Sequence, residues 1–146
     1  MPFRGSVDAK KIKPVTPKIL IVEDEMLVAM ELESILLDSG CEPVGIAPDL
    51  TTVEEYLSEP IDLALVDLNL RDGPTGPQIG KLQCDKGVTV LFMTANPRML
   101  GDGIATTIGV LTKPTDPETV RCAVNYALGV RNGEAVDLPA ALKIFG

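Results

Sequence analysis

The chain has 146 residues, of which 45% are apolar, and a net charge of −8, which suits one globular domain with a core of its own. It contains no histidine, so a Ser-His-Asp triad, a His-ligated zinc site and a phosphohistidine on this chain are excluded. No apolar run approaches the roughly 18 residues of a membrane span, and three cysteines without paired spacing fit a reduced, cytoplasmic protein.

The charge is unevenly distributed along the chain. Residues 1–18 hold five basic residues and one acid, a net charge of +4, whereas residues 19–146 have a net charge of −12. An acidic body argues against DNA binding by the folded part. Three prolines among scattered lysines predict a flexible basic arm over residues 1–17, ahead of a folded domain over residues 18–130.

Strand-like and helix-like patterns alternate from Lys18 onward. Gly40 is expected to end the first helix, Asp49 or Thr51 to open the second, and Asp116 to cap the last. The predicted order is strand 18–22, helix 25–39, strand 42–46, helix 52–58, strand 61–66, helix 77–85, strand 88–93, a weak helix 97–106, strand 108–112 and helix 117–128.

This alternation predicts an α/β fold with a five-stranded parallel sheet and helices on both faces. Right-handed crossovers place the carboxyl ends of all the strands at one edge of such a sheet, where ligands bind. The residues that follow the strands are therefore expected to lie close together.

The first strand is followed by the acidic triplet Glu23-Asp24-Glu25. A nucleotide-binding fold would be expected to have a glycine-rich loop here. The acidic triplet and the low aromatic content also disfavour a flavodoxin-type cofactor binder. Oxygen ligands without histidine favour Mg²⁺ or Mn²⁺. Acids in the first turn of a helix also occur simply because they complement its dipole, so the triplet alone leaves both interpretations open.

Asp67 ends the apolar run 63–66, which is expected to be a central, buried strand. A carboxylate is costly to bury without a partner, and an aspartate beside Mg²⁺ can attack phosphorus to form an acyl phosphate. The alternative is an aspartate that only shapes the turn before Asn69 and the Asp72-Gly73 pair.

Thr94 and Lys113 follow the fourth and fifth strands. A hydroxyl at this position can donate a hydrogen bond to a phosphoryl oxygen, and a lysine can neutralise a transferring phosphoryl group. Taken singly, each could also be an ordinary strand-end or solvated residue.

Together, the four strand ends resemble the receiver domain of bacterial two-component response regulators over residues 18–130. The resemblance implies a flavodoxin-like sheet of order 2-1-3-4-5. It also implies that Asp67 accepts the phosphoryl group, that Thr94 and Lys113 engage that group, and that Mg²⁺ is held by Glu23, Asp24, Asp67 and the backbone carbonyl of Asn69. The phosphate donor would be a phosphohistidine on a sensor histidine kinase or phosphotransfer protein, and the chain would not be an enzyme with turnover.

Val110 departs from the family pattern, which usually has Tyr or Phe three residues before the lysine. In the family that aromatic side chain changes position on phosphorylation, and a valine cannot move in the same way. We therefore expect the change to be transmitted to a downstream protein by residues 95–107, within a contact region over 95–113.

The residues after the last helix predict a stand-alone receiver with a tail over 131–146. Leu138, Leu142 and Phe145 could share one side of a short amphipathic turn. A second apolar stripe on the last helix contains Cys122, Tyr126 and Val130. The tail is expected to cover this stripe, unless the stripe is a surface for a homodimer or a partner.

Two other functions remain as alternatives. A degenerate receiver would bind a protein without taking phosphate, which the substitution at Val110 keeps open. A haloacid-dehalogenase-like phosphatase would also use an aspartate nucleophile and Mg²⁺, but it requires a second aspartate two residues later, where this chain has Asn69.

Overall fold

The computed structural model describes residues 16–95, 108–113, 116–140 and 142–144. The predicted helix 97–106, Phe145 and residues 1–15 of the predicted arm lie outside these residues. The strands are β1 (Lys18–Val22), β2 (Glu42–Ala47), β3 (Leu63–Asp67), β4 (Thr89–Thr94), β5 (Gly109–Thr112) and β6 (Leu142–Ile144); the helices are α1 (Met26–Asp38), α2 (Leu50–Glu54), α3 (Gly76–Asp85) and α4 (Pro117–Arg131).

The strands form one sheet in the order β2-β1-β3-β4-β5-β6. Strands β1 to β5 are parallel, with the predicted order 2-1-3-4-5, whereas β6 pairs antiparallel with β5. The prediction of the five-stranded parallel sheet is confirmed. The sixth strand was not predicted, because the short tail was interpreted as an amphipathic turn.

The alternation of side chains along β3 explains why the sheet is covered on both faces. Leu63 and Leu65 belong to one apolar layer, and Ala64 and Val66 belong to the other. Helices α1 and α4 contribute buried residues to the first layer, and α2 and α3 contribute to the second. All five residues of β3 are buried, so any polar side chain at its end is desolvated.

The helix ends follow local capping chemistry. Asp49 caps α2 by accepting a hydrogen bond from the backbone N–H of Thr52, and Asp116 caps α4 in the same way from Thr119. Helix α2 ends four residues earlier than predicted, as the chain continues in turns. Helix α4 extends three residues further than predicted, and Arg131 anchors its last turn by donating to the carbonyl of Gly87.

The tail packs against α4 and β5. A side chain at Gly129 would collide with Val136, and one at Gly109 would collide with the backbone of Lys143. Leu142 is 4% exposed in the first apolar layer, whereas Leu138 is 48% exposed. The predicted amphipathic face is therefore wrong for this pair, because strand pairing with β5 rather than helical periodicity sets which side chain is buried.

The tail leaves two residues of the predicted stripe on α4 exposed. Cys122 is exposed beside a groove that residues 136–140 line, and Tyr126 packs against the first apolar layer. Val130 remains 40% exposed. Within the described ranges, no helix combines the length and apolar character that crossing a membrane would require.

Candidate functional site

The carboxyl ends of β1, β3, β4 and β5 meet at one edge of the sheet, as predicted. The parallel register aligns Asp67 with Met93 and Thr94 with Thr112. Glu23, Asp67 and Thr94 are 2%, 9% and 1% exposed. This edge therefore concentrates ionisable and polar side chains in a largely desolvated setting.

Three carboxylates form a cluster at this edge. Glu23, Asp24 and Asp67 each present an oxygen, and these oxygens lie within 4.8 Å of one another. A set of close carboxylate oxygens matches the preference of a hard divalent cation. Of the predicted ligands, Asn69 is exposed, and its backbone N–H donates to Oδ1 of Asp67 at 3.3 Å. Asp67 therefore takes part in the following turn as well as in the carboxylate cluster.

Lys113 forms ion pairs with two of the clustered acids. Its Nζ lies 2.8 Å from Oε1 of Glu23 and 3.1 Å from Oδ2 of Asp67. The other oxygen of Glu23 accepts a hydrogen bond from the backbone N–H of Glu25. The sequence predicted that Lys113 would face a phosphoryl group, but it did not predict the pairing with Glu23.

Burial controls the ionisation of this cluster. Desolvation raises the pKa of Glu23 to about 7; the hydrogen bond from Lys113 opposes this rise and the charge of Asp67 adds to it. Burial lowers the pKa of Lys113, but its hydrogen bond to Glu23 and the charge of Asp67 outweigh burial and leave that pKa raised. Glu23 therefore changes charge near neutral pH while Lys113 stays cationic.

The ends of β4 and β5 are joined directly. The backbone N–H of Lys113 donates to the carbonyl of Thr94 at 2.7 Å. Thr94 and Lys113 are therefore held next to each other by the backbone, on either side of the segment 95–112. Val110 is 1% exposed and belongs to the second apolar layer, which also contains Phe92.

Gly76 is a structural requirement of the site that the sequence analysis missed. A Cβ at Gly76 would collide with the carbonyl oxygen of Asp67 and the Cα of Leu68. The first turn of α3 can therefore approach the end of β3 only if this position lacks a side chain. The glycines in the loop 69–77 were the available signal, but their spacing does not show which strand they contact.

Hydrogen bonds within the loop after Asp67, and one ion pair to Asp49, stabilise the conformation of that loop. Leu70 and Gly73 exchange two backbone hydrogen bonds of 3.0 and 2.9 Å. Arg71 pairs with Asp49 at 2.6 Å, and Asp72 accepts from the hydroxyl of Thr75. These contacts hold the backbone of the loop that follows Asp67.

Comparison with known proteins identifies the family. The sequence profile of the response regulator receiver domain matches residues 19–125. The chain belongs to the response regulator receiver domain family. The resemblance inferred from the four strand ends is thereby confirmed.

The receiver is similar to several proteins named PhyR. It is 34% identical to the phyllosphere-induced regulator PhyR of Methylorubrum extorquens, covering 76% of this chain and 43% of that protein. The solution structure of the PhyR receiver domain of Erythrobacter litoralis matches with a TM-score of 0.72 and 32% identity, covering 84% of this chain and 97% of that chain. The anti-anti-sigma factor PhyR of Bartonella quintana matches with a TM-score of 0.70 and 28% identity, covering 83% of this chain and 51% of that chain. This receiver thus spans about half or less of the longer PhyR proteins.

Proposed function

We propose that this receiver accepts a phosphoryl group on Asp67 from a phosphohistidine of a partner protein. The observation that carries the proposal is that the Asp67 carboxylate belongs to the acidic cluster and also pairs with the ammonium of Lys113 at 3.1 Å. A nucleophilic carboxylate with both further carboxylates and a cation beside it suits phosphoryl transfer assisted by a divalent metal.

In the proposed reaction, a carboxylate oxygen of Asp67 attacks the phosphorus of the donor. The P–N bond of the donor breaks, its electrons return to the histidine ring, which takes up a proton, and a P–O bond forms on Asp67. Lys113 reorients from Glu23 to neutralise a phosphoryl oxygen, and the hydroxyl of Thr94 donates to another. Mg²⁺, when bound by Glu23, Asp24, Asp67 and the carbonyl of Asn69, supplies further neutralisation of the transferred charge.

We further propose that the signal leaves through residues 95–113. Support comes from the backbone hydrogen bond that the Lys113 N–H donates to the Thr94 carbonyl. Thr94 and Lys113 border this segment, so movement of either residue toward the phosphoryl group would shift one of its ends. Residues 96–107 lie outside the described ranges. The likeness to a Bartonella quintana protein named an anti-anti-sigma factor favours a protein target in transcriptional control.

We place the phosphoryl transfer in the cytoplasm, because Cys41, Cys84 and Cys122 form no disulfide.

The proposal can be tested by phosphorylation with a small donor. Incubation with Mg²⁺ and acetyl phosphate should add one labile group of about 80 Da, as expected for an aspartyl phosphate. Asp67→Asn should abolish the adduct, whereas Asp85→Asn, which alters an exposed acid on α3, should retain it. Intact mass spectrometry measures both, and amide spectra with beryllofluoride report the response of the fold.

Two results would contradict the proposal. If neither the adduct nor a Mg²⁺-dependent beryllofluoride response appears in the folded wild type, the chain is a degenerate receiver that binds partners without phosphate. If each chain hydrolyses many phosphoesters, the phosphatase alternative is supported instead.

A further inference from the structure

A tight turn over residues 70–73 fixes the orientation of the peptide group that follows Asn69. The carbonyl of Leu70 accepts a hydrogen bond from the N–H of Gly73, and the N–H of Leu70 donates to the carbonyl of Gly73. A peptide group is planar, with its carbonyl directed away from its N–H. The bond at the Leu70 N–H therefore also sets the direction of the Asn69 carbonyl, which is the proposed backbone ligand of Mg²⁺.

The side chains of the two central residues of this turn attach it to the start of α2. Nε and Nη2 of Arg71 lie 2.8 and 2.6 Å from Oδ2 of Asp49. Oδ2 of Asp72 accepts a hydrogen bond from the backbone N–H of Leu50 at 3.1 Å. The partners in both contacts are 22 positions apart in the chain, so the contacts belong to the tertiary fold rather than to the turn itself. We call Asp49, Leu50, Arg71 and Asp72 the turn clamp.

The two carboxylates of the turn clamp are held by further hydrogen bonds. Oδ1 of Asp49 accepts from the backbone N–H and the hydroxyl of Thr52 at 2.9 and 2.7 Å. Oδ1 of Asp72 accepts from the hydroxyl of Thr75 at 2.7 Å. Hydrogen bonds to a carboxylate are among the stronger ones in proteins, and each carboxylate here uses both oxygens. The turn clamp therefore holds residues 70–73 in one position relative to α2.

We propose that Arg71 and Asp72 are positioning residues for the divalent cation, although neither belongs to the carboxylate cluster. They hold the turn that directs the Asn69 carbonyl, so this carbonyl is already oriented in the metal-free protein. The inference rests on the proposed function, in which the carbonyl of Asn69 binds Mg²⁺. Groups that orient a metal ligand from outside typically change the metal affinity when they are removed.

Charge and positioning predict opposite effects for Arg71. Removing a cation from the loop that follows Asp67 would by itself strengthen the binding of Mg²⁺ to the acidic cluster. Releasing the turn would weaken it, because only part of the population would then present the Asn69 carbonyl in the required direction. Arg71→Met keeps much of the length of the side chain and removes the ion pair, so the sign of the change separates the two effects.

The test is titration of the ¹³C,¹⁵N-labelled full chain with MgCl₂, followed by amide and carbonyl spectra. Arg71→Met should weaken Mg²⁺ binding by about tenfold, and the carbonyl ¹³C signal of Asn69 should shift already in the metal-free variant. Arg71→Lys, which keeps a cation that can pair with Asp49, should recover most of the affinity. Arg121→Met, which removes an arginine paired with Glu118 on α4, should bind Mg²⁺ as the wild type does.

A purely structural role for the turn clamp would give a different result. Exposed ion pairs contribute little to stability, so the urea midpoint of Arg71→Met should stay close to that of the wild type while the Mg²⁺ affinity falls. Asp72→Ala breaks the bond to Leu50 and leaves the ion pair of Arg71 in place. It should also shift the Asn69 carbonyl signal and weaken Mg²⁺ binding, so the proposal remains testable if Arg71→Met does not fold.

Three results would overturn the inference. The first is Mg²⁺ binding by the folded Arg71→Met variant that is as tight as in the wild type or tighter, which would leave the proposed function intact. The second is an equal loss of affinity in Arg121→Met. The third is the absence of Mg²⁺ binding by the folded wild type, which would also contradict the role of the metal in the proposed function.

Discussion

At the scale of single residues, Lys113 balances two acids that have almost no contact with water. Glu23 is 2% exposed, and the side chain of Asp67 is 11% exposed. Buried charges of like sign are tolerated only when a cation or a proton compensates them. Lys113 provides that compensation here, and under the proposed function a bound divalent cation would add to it.

We expect Lys113→Met to destabilise the metal-free protein by about 3 kcal/mol at pH 8, because two buried carboxylates lose their cation. Mg²⁺ should restore part of this loss. Urea unfolding with and without Mg²⁺ measures both effects. Lys81→Met, which removes an exposed lysine paired with Asp85, should change the unfolding free energy by less than about 0.5 kcal/mol; equal losses in the two variants would contradict the assigned role of Lys113.

The raised pKa of Glu23 predicts pH-dependent binding of Mg²⁺. A protonated carboxyl group cannot coordinate the ion, so affinity should fall as pH decreases through about 7. At pH 6, Mg²⁺ must displace the proton of Glu23 before it can bind. Its affinity should therefore be about tenfold lower at pH 6 than at pH 8. Titration of the metal at each pH, followed by amide spectra or calorimetry, measures this change.

Glu23→Gln provides the control for this pH dependence. The variant should bind Mg²⁺ more weakly overall, but its affinity should hardly change between pH 6 and pH 8. A tenfold pH effect that persists in the variant would mean that another group takes up the proton.

At the scale of elements, strands with strong apolar runs were predictable from the sequence. Strand β3 has apolar residues on both faces and a carboxylate at its end, a pattern that specifies a central strand. Strand β6 has only three residues, and its buried position depends on contact with β5, which is distant in sequence. The local pattern of apolar residues does not reveal a contact with a distant strand. The tail was therefore predicted as an amphipathic turn, whereas residues 142–144 form a strand.

Leu142 should make the last strand an integral part of the fold. We expect Leu142→Ala to lower the unfolding free energy by about 2 kcal/mol, because it leaves a cavity in the first apolar layer. Ile144→Ala, in the same strand but at a position that is 45% exposed, should cost less than about 0.5 kcal/mol. Similar, small losses for both variants would show that the strand is only loosely attached. Chemical denaturation measures the difference.

At the scale of the whole molecule, metal binding and folding are linked. An ion that binds only the folded state adds about 1.4 kcal/mol when its free concentration is ten times its Kd. We therefore expect saturating Mg²⁺ to raise the Tm by roughly 3–5 °C, measured by thermal unfolding. Asp24→Asn, which removes the negative charge of one cluster carboxylate, should reduce the increase; an unchanged increase in that variant would place the ion elsewhere.

The sequence also predicted most of the candidate site, for a reason that applies to the whole fold. In a parallel sheet, the residues after the strands must meet, so Glu23, Asp67, Thr94 and Lys113 could be grouped without coordinates. What could not be predicted was the pairing within the group. The ion pair between Lys113 and Glu23 depends on the distance between the two side chains and on their burial. Both properties are set by how the apolar layers pack.

The added strand β6 also affects how the molecule avoids associating with copies of itself. It makes β5 an interior strand, so the outer border of the sheet on that side is three residues long and includes Lys143. The opposite border, β2, contains Pro43, and its register with β1 shifts between Ile19 and Leu20. A short strand, a charged side chain, a proline and an irregular register all oppose hydrogen bonding between the edge strands of two molecules. Among the described residues, both borders are therefore poor templates for fibrillar growth.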